Sequence, residues 1–292
     1  NTYSLRVWID SAAENEVMNT ILYKELRVEA TQVGAKTTTT AMCKRATTLH
    51  KEACTNNSSS EYCQADGYSL NSEIEYGSLG TKGTLASGDA FDCDVNGDGT
   101  YDPETERFYY VSDATNGITI DNNTAVLIYY SNVSGGVASN SATYAYLYGD
   151  STNATSGPET AIKQLPTISQ WKTRLTSEKR QITSEDSLSA QATARNFDYS
   201  GCAARLLTVQ EVNFACGGDS IINCKYLMEN TKYSNSSNAA RREWLESWRA
   251  GTSYHVWVIA TENRNVGYDY PNVSDSIGVR PAIEVAKTDI SY

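Results

Sequence analysis

The residues best suited to chemistry are the oxygen-bearing side chains of a nine-residue run, 94–102, which reads DVNGDGTYD. They stand at its first, third, fifth and ninth positions, and a glycine at the sixth position allows a sharp turn. Calcium takes about six to eight oxygen ligands, which alternate residues of a curled loop can supply. The run therefore predicts a calcium site, with the carbonyl of the seventh position included among its ligands: Asp94, Asn96, Asp98, Thr100 and Asp102.

The twelfth position of this pattern indicates which kind of calcium site to expect. It is Thr105, whereas a regulatory EF-hand loop has a glutamate there. The pattern instead fits the shorter calcium loop of extracellular proteins, in which the ion has a structural role. The alternative interpretation is a solvated turn of Asp, Asn and Gly residues.

Seven cysteines form the second group of reactive side chains. None forms a CxxC pair and the chain has only two histidines, so a zinc site is not expected. Short spacings suit local disulfides that close polar loops, and one further pair then remains in the first half. The favoured pairs are Cys54 with Cys63, Cys216 with Cys224, and Cys43 with Cys93. Cys202 is then left as a free thiol. Disulfides favour an exported protein, the alternative being reduced thiols in a cytosolic one.

Catalysis is not expected from the remaining reactive residues. Only His50 and His255 are suited to act as bases at neutral pH, and neither stands near a GxSxG nucleophile or a glycine-rich phosphate loop. We therefore predict no catalytic residues and no enzyme activity. A hydrolase that uses a pair of carboxylates is the weaker alternative.

The composition of the 292-residue chain favours β-structure and excludes some partners. It has 20 tyrosines against 4 phenylalanines, few helix-forming residues and many polar ones. The formal net charge of −11 argues against a nucleic-acid partner, because affinity for phosphates comes mostly from clustered Lys and Arg. No apolar run approaches the roughly 20 residues that span a bilayer, so no direct membrane span is expected.

The elements that must position these residues suggest three regions. Alternating runs at 4–9 and 23–30 predict two strands, so 1–34 is interpreted as the terminal strands of a β domain that begins upstream. Residues 35–150 are predicted to form a β-rich region braced by disulfides and calcium, with buried strands at 107–111 and 125–130. Residues 151–292 are predicted to form a third region.

This third region begins with a helix signal and ends with strand signals. Apolar spacing over 204–216, with Thr208 and Glu211 as a capping box, predicts a helix, and 255–260 and 279–285 predict strands. The overall expectation is an α+β, β-rich chain.

Two motifs in this region resemble a known family. The segments ARLLTVQEV (204–212) and GVRP (278–281) are similar to the helix start and the final strand of C-type-lectin-like domains, in the branch of formylglycine-generating enzymes and retroelement-diversified variable proteins. The resemblance covers about residues 160–290. It implies a C-type-lectin-like domain over 151–292, a second helix and irregular loops near 226–233 and 241–248, and an internal pair between Glu211 and Arg280.

The whole chain also resembles pilin-like or filament-associated surface proteins of Gram-positive bacteria. The segments CDVNGDGTYD, ERFYYVS and GVRP recur in those proteins in the same order. This resemblance implies a location on the cell surface and a scaffold, without implying a reaction.

Binding is the function that the C-terminal loops favour. They are dense in Tyr, Trp, Asn and Arg, the residue types from which adaptable binding surfaces are built, although an ordinary polar surface is the alternative. The predicted ligand-binding residues are Tyr233, Asn235, Trp248, Tyr254, Asn263, Arg264, Asn265, Tyr268 and Tyr270.

The sequence therefore predicts an exported bacterial adhesin or ligand-binding protein, extracellular or on the cell surface, with calcium as its cofactor. The expected partner is a host or bacterial surface protein or a glycan. The alternative is a structural subunit of a pilus or filament, which would assemble with further copies of itself.

Overall fold

Sixteen short strands and one α-helix make up the part of the chain that the structure describes. In this computed structural model that part comprises residues 40–54, 63, 67–113, 123–138, 147–149, 154, 157–183, 194–229, 242–261, 263–273 and 277–292. Contacts divide the chain into two units, Asn1–Thr39 and Thr40–Tyr292. The predicted region 1–34 and its two strands lie outside the described residues.

The first eight strands belong to residues 40–138. They are β1 Cys43–Arg45, β2 Lys51–Ala53, β3 Glu73–Glu75, β4 Ala90–Cys93, β5 Arg107–Asp113, β6 Thr124–Tyr129, β7 Val133–Ser134 and β8 Val137–Ala138. The strands predicted at 107–111 and 125–130 are confirmed as β5 and β6.

The remaining elements follow residue 160. The strands are β9 Lys179–Thr183, β10 Ala194–Asp198, β11 Arg242–Trp248, β12 Val256–Ala260, β13 Asn265–Asp269, β14 Ile277–Gly278, β15 Ala282–Ala286 and β16 Ile290–Ser291. The helix α1 is Val209–Cys216, and 3-10 turns lie at Ile162–Gln164, Lys225–Met228 and Lys287–Asp289. The expectation of a β-rich chain is confirmed. With one α-helix among the described residues, the chain is mostly β. No helix in these ranges is long and apolar enough to cross a membrane.

The largest sheet has six strands in the order β15-β6-β5-β4-β1-β16. Its two outer strands are consecutive in the chain, because only Lys287–Asp289 separates β15 from β16. A flat sheet would place them five strand spacings apart, about 24 Å, whereas the four residues from Ala286 to Ile290 reach about 14 Å at most. The sheet must therefore curl, and the segment 282–291 closes it into a barrel by pairing first with β6 and then with β1.

Strands β5 and β6 form the wall of this barrel that is most deeply buried. Every residue of both strands is buried, which is why each appears in the sequence as a nearly continuous run of apolar and aromatic residues. Their register shifts between Tyr110 and Ser112, and a bulge of this kind bends a strand and increases its twist. Trp171 covers the wall, with its ring 5.6 Å from that of Phe108 and 5.1 Å from that of Tyr129.

The barrel combines strands from both predicted regions, 35–150 and 151–292. Strands β1, β4, β5 and β6 come from the first, and β15 and β16 come from the second. Both regions belong to the single unit Thr40–Tyr292.

A second sheet has the order β13-β12-β11-β14. The strand predicted at 255–260 is confirmed as β12. The expectation of a second helix and irregular loops near 241–248 is wrong for Arg242–Trp248, which is the strand β11 and pairs on both sides. Its sequence REWLESW looks half polar, but Glu243 and Glu246 are buried because arginines neutralise them inside the protein.

The helix α1 begins as the capping box predicts. Thr208 Oγ1 accepts from the Glu211 N–H at 3.1 Å, and Glu211 Oε2 accepts from the Thr208 N–H at 2.9 Å. Gly217 ends the helix in the left-handed conformation, with φ at 76°.

The expected pair between Glu211 and Arg280 is wrong in its partners. Glu211 pairs with Arg205 at 2.6 Å, and Arg280 pairs with Glu243 at 2.9 Å. Both arginines are fully or almost fully buried. Arg280 also donates to the backbone carbonyls of Tyr226 and Leu227. It therefore connects the residues just before β15 to the 3-10 turn Lys225–Met228.

A network of four buried charges and the partly buried Arg180 joins the two sheets to α1. Arg205 donates to Glu211 and to Glu284 of β15, at 2.6 and 2.7 Å. Arg180 of β9 donates to Glu246 of β11 at 2.6 Å and lies 3.4 Å from Glu284. Burial raises the pKa of Glu284, but the charge and hydrogen bond of Arg205 outweigh burial and lower this pKa to about 2.

The structure contains three disulfides, which are the pairs that the spacing favoured. Cys43–Cys93 joins directly opposed residues of β1 and β4, while Cys54–Cys63 and Cys216–Cys224 each close a short loop. Cys202 is free and buried, and burial raises the pKa of its thiol to about 11. The disulfides are compatible with an extracellular protein.

Candidate functional site

The acidic run forms the connection between β4 and β5, which we call the acidic loop (residues 94–106). Its base is fixed from both sides. The Cys43–Cys93 disulfide directly precedes it, and the Asp94 N–H donates to the Met42 carbonyl at 2.9 Å. At the other end Arg107 pairs with Asp92 across the two strands at 2.7 Å. The loop therefore projects from a stiff strand pair, although its own residues are mostly exposed.

Inside the acidic loop the side-chain oxygens turn toward the loop's own backbone. Asp94 Oδ2 accepts from the Gly99 N–H at 3.0 Å, and Asn96 Oδ1 accepts from the Asp98 N–H at 2.8 Å. Asp98 Oδ1 accepts from both the hydroxyl and the N–H of Thr100, and these bonds lower the pKa of Asp98. The chain is thus curled around these oxygens. Gly99 takes the positive φ of 86° that the turn needs.

Glu106 is a residue of this loop that the pattern from Asp94 to Asp102 missed. Its side chain is 2% exposed, and its carboxylate accepts from the Asp102 N–H at 3.0 Å. Burial, assisted by the negative charges of Asp94 and Asp98, raises the pKa of Glu106. Asp94 Oδ1 is buried and has no hydrogen-bond partner among the residues that the structure describes. A search one position beyond Thr105 would have found this glutamate.

These oxygens are not arranged as a finished metal site. Among the residues that the structure describes, no group of three or more His, Cys, Asp or Glu side chains is positioned to hold a metal ion. The carboxylates instead accept hydrogen bonds from backbone N–H groups of the loop. Calcium at this loop therefore stays a prediction.

A second candidate site lies where β12 begins and β13 ends, and we call it the aromatic face (Arg249, Tyr254, His255, Tyr268 and Tyr270). Each tyrosine is about half exposed, at 47–49%. The His255 ring lies at the centre, 4.6 Å from Tyr254, 4.6 Å from Tyr268 and 5.0 Å from Tyr270, between ring centroids. The Arg249 guanidinium lies over the Tyr268 ring at 4.2 Å.

Antiparallel pairing explains why these residues meet. Trp257 and Tyr268 are directly opposed in the register of β12 and β13, so residues just before β12 lie beside residues just after β13. The backbone N–H of Arg249 donates to the His255 carbonyl at 2.9 Å, which brings the end of β11 to the same place. Residues 13 to 21 positions apart in the sequence thereby form one surface.

The other predicted ligand-binding residues do not join this face. Trp248 is 3% exposed and packs against Phe197, so it is a core residue and the prediction is corrected. Asn263 and Arg264 lie in the turn before β13, and Asn265 is the first residue of that strand, so all three are at its other end, about 14 Å away along the strand. Tyr233 and Asn235 lie outside the described residues.

The electrostatics of the aromatic face favour a neutral histidine. Burial and the neighbouring charge of Arg249 lower the pKa of His255, although the carboxylate of Asp269 opposes them. His255 Nδ1 is buried, and within the described ranges it has no hydrogen-bond partner. Asp269 itself is paired with Arg242.

His50, the other histidine, forms part of a buried polar cluster at the back of the acidic loop. Its Nδ1 contacts the Glu229 carboxylate, and its Nε2 lies 2.5 Å from the Pro103 carbonyl. Tyr109 donates its hydroxyl to the other oxygen of Glu229. Because a carbonyl only accepts, Nε2 must donate to Pro103, and the contact of Nδ1 with Glu229 favours a proton on this nitrogen as well, which is the charged imidazolium.

The charge of His50 predicts a pH-dependent contribution to stability. Burial alone lowers the pKa of His50, but the hydrogen bond and charge of Glu229 outweigh it, and the net pKa is raised. The stabilisation is therefore fully present below the unfolded pKa of about 6.5 and is lost as the pH rises through the folded value. We expect His50→Gln to lower the melting temperature more at pH 5.5 than at pH 8.5. A difference between wild type and variant that is the same at both pH values would contradict a charged His50.

The chain was compared with protein-family models, curated proteins and solved structures. Nothing matches it. The resemblance to C-type-lectin-like domains and to Gram-positive surface proteins therefore rests on the motifs quoted above.

Proposed function

We propose that this chain is an exported surface protein that binds a ligand through its aromatic face. The observation that supports this proposal is the grouping of three half-exposed tyrosines around His255. Large aromatic side chains normally bury most of their surface, and several exposed together are typical of a binding surface. Tyrosine offers a large contact area and loses little side-chain freedom on binding, so such a patch suits recognition.

The scaffold of this face is proposed to be C-type-lectin-like. Two features support this interpretation: the capped start of α1 in the segment 204–212, and the buried Arg280 in the segment 278–281. The three disulfides support an extracellular location. The reactive groups described above serve structure, so we propose binding without catalysis.

The test of this proposal is a binding screen with matched variants. We expect Tyr254→Ala and Tyr268→Ala each to weaken binding at least tenfold, because each removes much of an aromatic contact. Leu70→Ala is the control, since Leu70 is also exposed but lies in another part of the chain. Binding should be measured by surface plasmon resonance on immobilised glycans and surface proteins.

Two outcomes of the same experiment would overturn the proposal. One is ligand binding that both tyrosine variants leave unchanged. The other is a chain that binds no ligand and elutes as a polymer in size-exclusion chromatography, which supports the structural subunit of a filament instead.

We also propose that the acidic loop binds calcium and has a structural role. The unpartnered oxygen of Asp94 and the burial of Glu106, which raises the pKa of this carboxyl group, support this proposal, because a cation would provide a partner for the first and offset the burial of negative charge at the second. The residues that would hold the ion are Asp94, Asn96, Asp98, Thr100, Asp102 and Glu106.

Removal of calcium is expected to lower the melting temperature. At a free calcium concentration 100 times Kd, the ion would stabilise the folded state by about 2.7 kcal/mol, and a chelator would remove this contribution. Asp98→Ala should abolish the calcium effect, whereas the exposed control Asp289→Asn should retain it. Differential scanning calorimetry with and without chelator provides the measurement, and an unchanged wild-type melting temperature would rule out the ion.

A further inference from the structure

The arginine of the aromatic face has a charge that the described part of the protein does not neutralise. Arg249 forms no salt bridge there, and its Nε is buried without a hydrogen-bond partner. Its guanidinium lies over the ring of Tyr268, 4.2 Å from the ring centroid. The nearby carboxylate of Asp269 forms a salt bridge with Arg242.

This arrangement differs from that of the other arginines near the core. Arg107, Arg180, Arg205 and Arg280 each pair with a carboxylate. A guanidinium stacked on an aromatic ring is fixed in orientation and keeps its outer N–H donors free for a planar acceptor. In a chain of net charge −11, a cation held in this way beside a binding surface points to an anionic ligand.

The aromatic rings restrict the ligand further. Tyr254 and Tyr270 are nearly parallel, with 18° between their planes and 6.0 Å between their centroids. An aromatic face carries partial negative charge, so it attracts the polarised C–H groups of a sugar ring but repels a bare anion. A ligand that suits both the Arg249 guanidinium and the tyrosine rings has a carboxylate on a sugar ring.

We propose that the ligand of the aromatic face is a glycan that carries a carboxylate, as uronic and sialic acids do. Its sugar ring packs on Tyr254 and Tyr270, and its carboxylate pairs with Arg249. This inference rests on the proposed binding function and names the class of ligand.

The experiment compares glycans that differ only in the carboxylate. The full chain is applied to immobilised pairs, one ending in sialic acid and one in which that carboxylate is converted to the amide, and one ending in glucuronate and one in glucose, with sulfated glycans as a further arm. We expect at least a tenfold preference for the carboxylate-bearing member of one pair. Arg249→Gln should reduce this preference to about twofold or less, because a charged hydrogen-bonded contact is lost.

Two controls separate this contact from a general effect of charge or of folding. Arg249→Lys keeps the charge but loses the planar fork, so it should recover only part of the preference. Lys82→Gln removes an exposed charge from another loop and should leave the preference unchanged. The melting temperature of each variant reports whether it folds.

The outcomes distinguish this inference from the proposed function. Equal binding of acidic and neutral glycans, or a preference that survives in Arg249→Gln, overturns the carboxylate ligand. Binding to proteins only, lost in Tyr254→Ala, also overturns it but leaves the binding face intact. A preference for sulfated glycans over carboxylated ones replaces the carboxylate with a sulfate and contradicts the proposal. An absence of binding on all arms overturns the glycan ligand.

Discussion

Arg205→Met is expected to lower the free energy of unfolding by about 3–5 kcal/mol, the largest effect of any single substitution considered. The guanidinium of Arg205 is fully buried between Glu211 and Glu284. Its removal leaves two carboxylates in the interior next to Glu246, with only Arg180 to neutralise them. This loss of stability comes from buried carboxylates that no longer have a cationic partner, since methionine fills a volume similar to that of arginine.

Urea unfolding with the disulfides intact measures this effect. Protonation removes the negative charge of a buried carboxylate that has lost its partner. The decrease in the free energy of unfolding should therefore be smaller at pH 5 than at pH 8. Glu284→Gln added to Arg205→Met should recover part of the stability, which a double-mutant cycle detects. Lys51→Met is the control, because its pairs with Glu73 and Glu75 are exposed and should contribute little. A loss as small as that of the control would contradict a buried charge network.

Removing the Cys43–Cys93 disulfide is the second large effect expected. The pair is 50 residues apart in the chain, and for this separation the entropy of the unfolded chain predicts a loss of about 4 kcal/mol. The double variant Cys43→Ala and Cys93→Ala keeps the two strands paired in the folded state but frees a long loop in the unfolded one. Thermal unfolding of both forms measures the difference.

The shorter disulfide provides the matched comparison. Cys54 and Cys63 are only 9 residues apart, and removal of this pair should cost about 2.5 kcal/mol by the same relation. Loss of Cys43–Cys93 should also weaken calcium binding, because that disulfide anchors the base of the acidic loop. If the two double variants lose equal stability and bind calcium equally, the long disulfide has no special role.

The parts of the fold that could be predicted from the sequence are those that depend on neighbours in the chain. The capping box of Thr208 and Glu211 acts within one helical turn, and the continuous apolar runs of β5 and β6 indicate burial on both faces. The grouping of Tyr254, Tyr268 and Tyr270 was also within reach, since a hairpin of two adjacent strands brings them together.

The parts that could not be predicted depend on which distant side chains meet. Glu243 and Glu246 make β11 look amphipathic, and only the positions of Arg280 and Arg180 explain their burial. Trp248 was assigned to the binding surface because composition does not distinguish an exposed ring from a buried one. Arg249 could be recognised as uncompensated only once its surroundings were known.

The closing of the barrel by segment 282–291 imposes an order on events in the cell. This segment supplies one neighbour of both β6 and β1, so neither strand has both of its neighbours until residues 282–291 are available for pairing. Until then β6 presents a bare, highly apolar edge that is prone to pair with other chains. The barrel can therefore close only when residues distant in the sequence, 43–45 and 124–129, have both paired with this one segment.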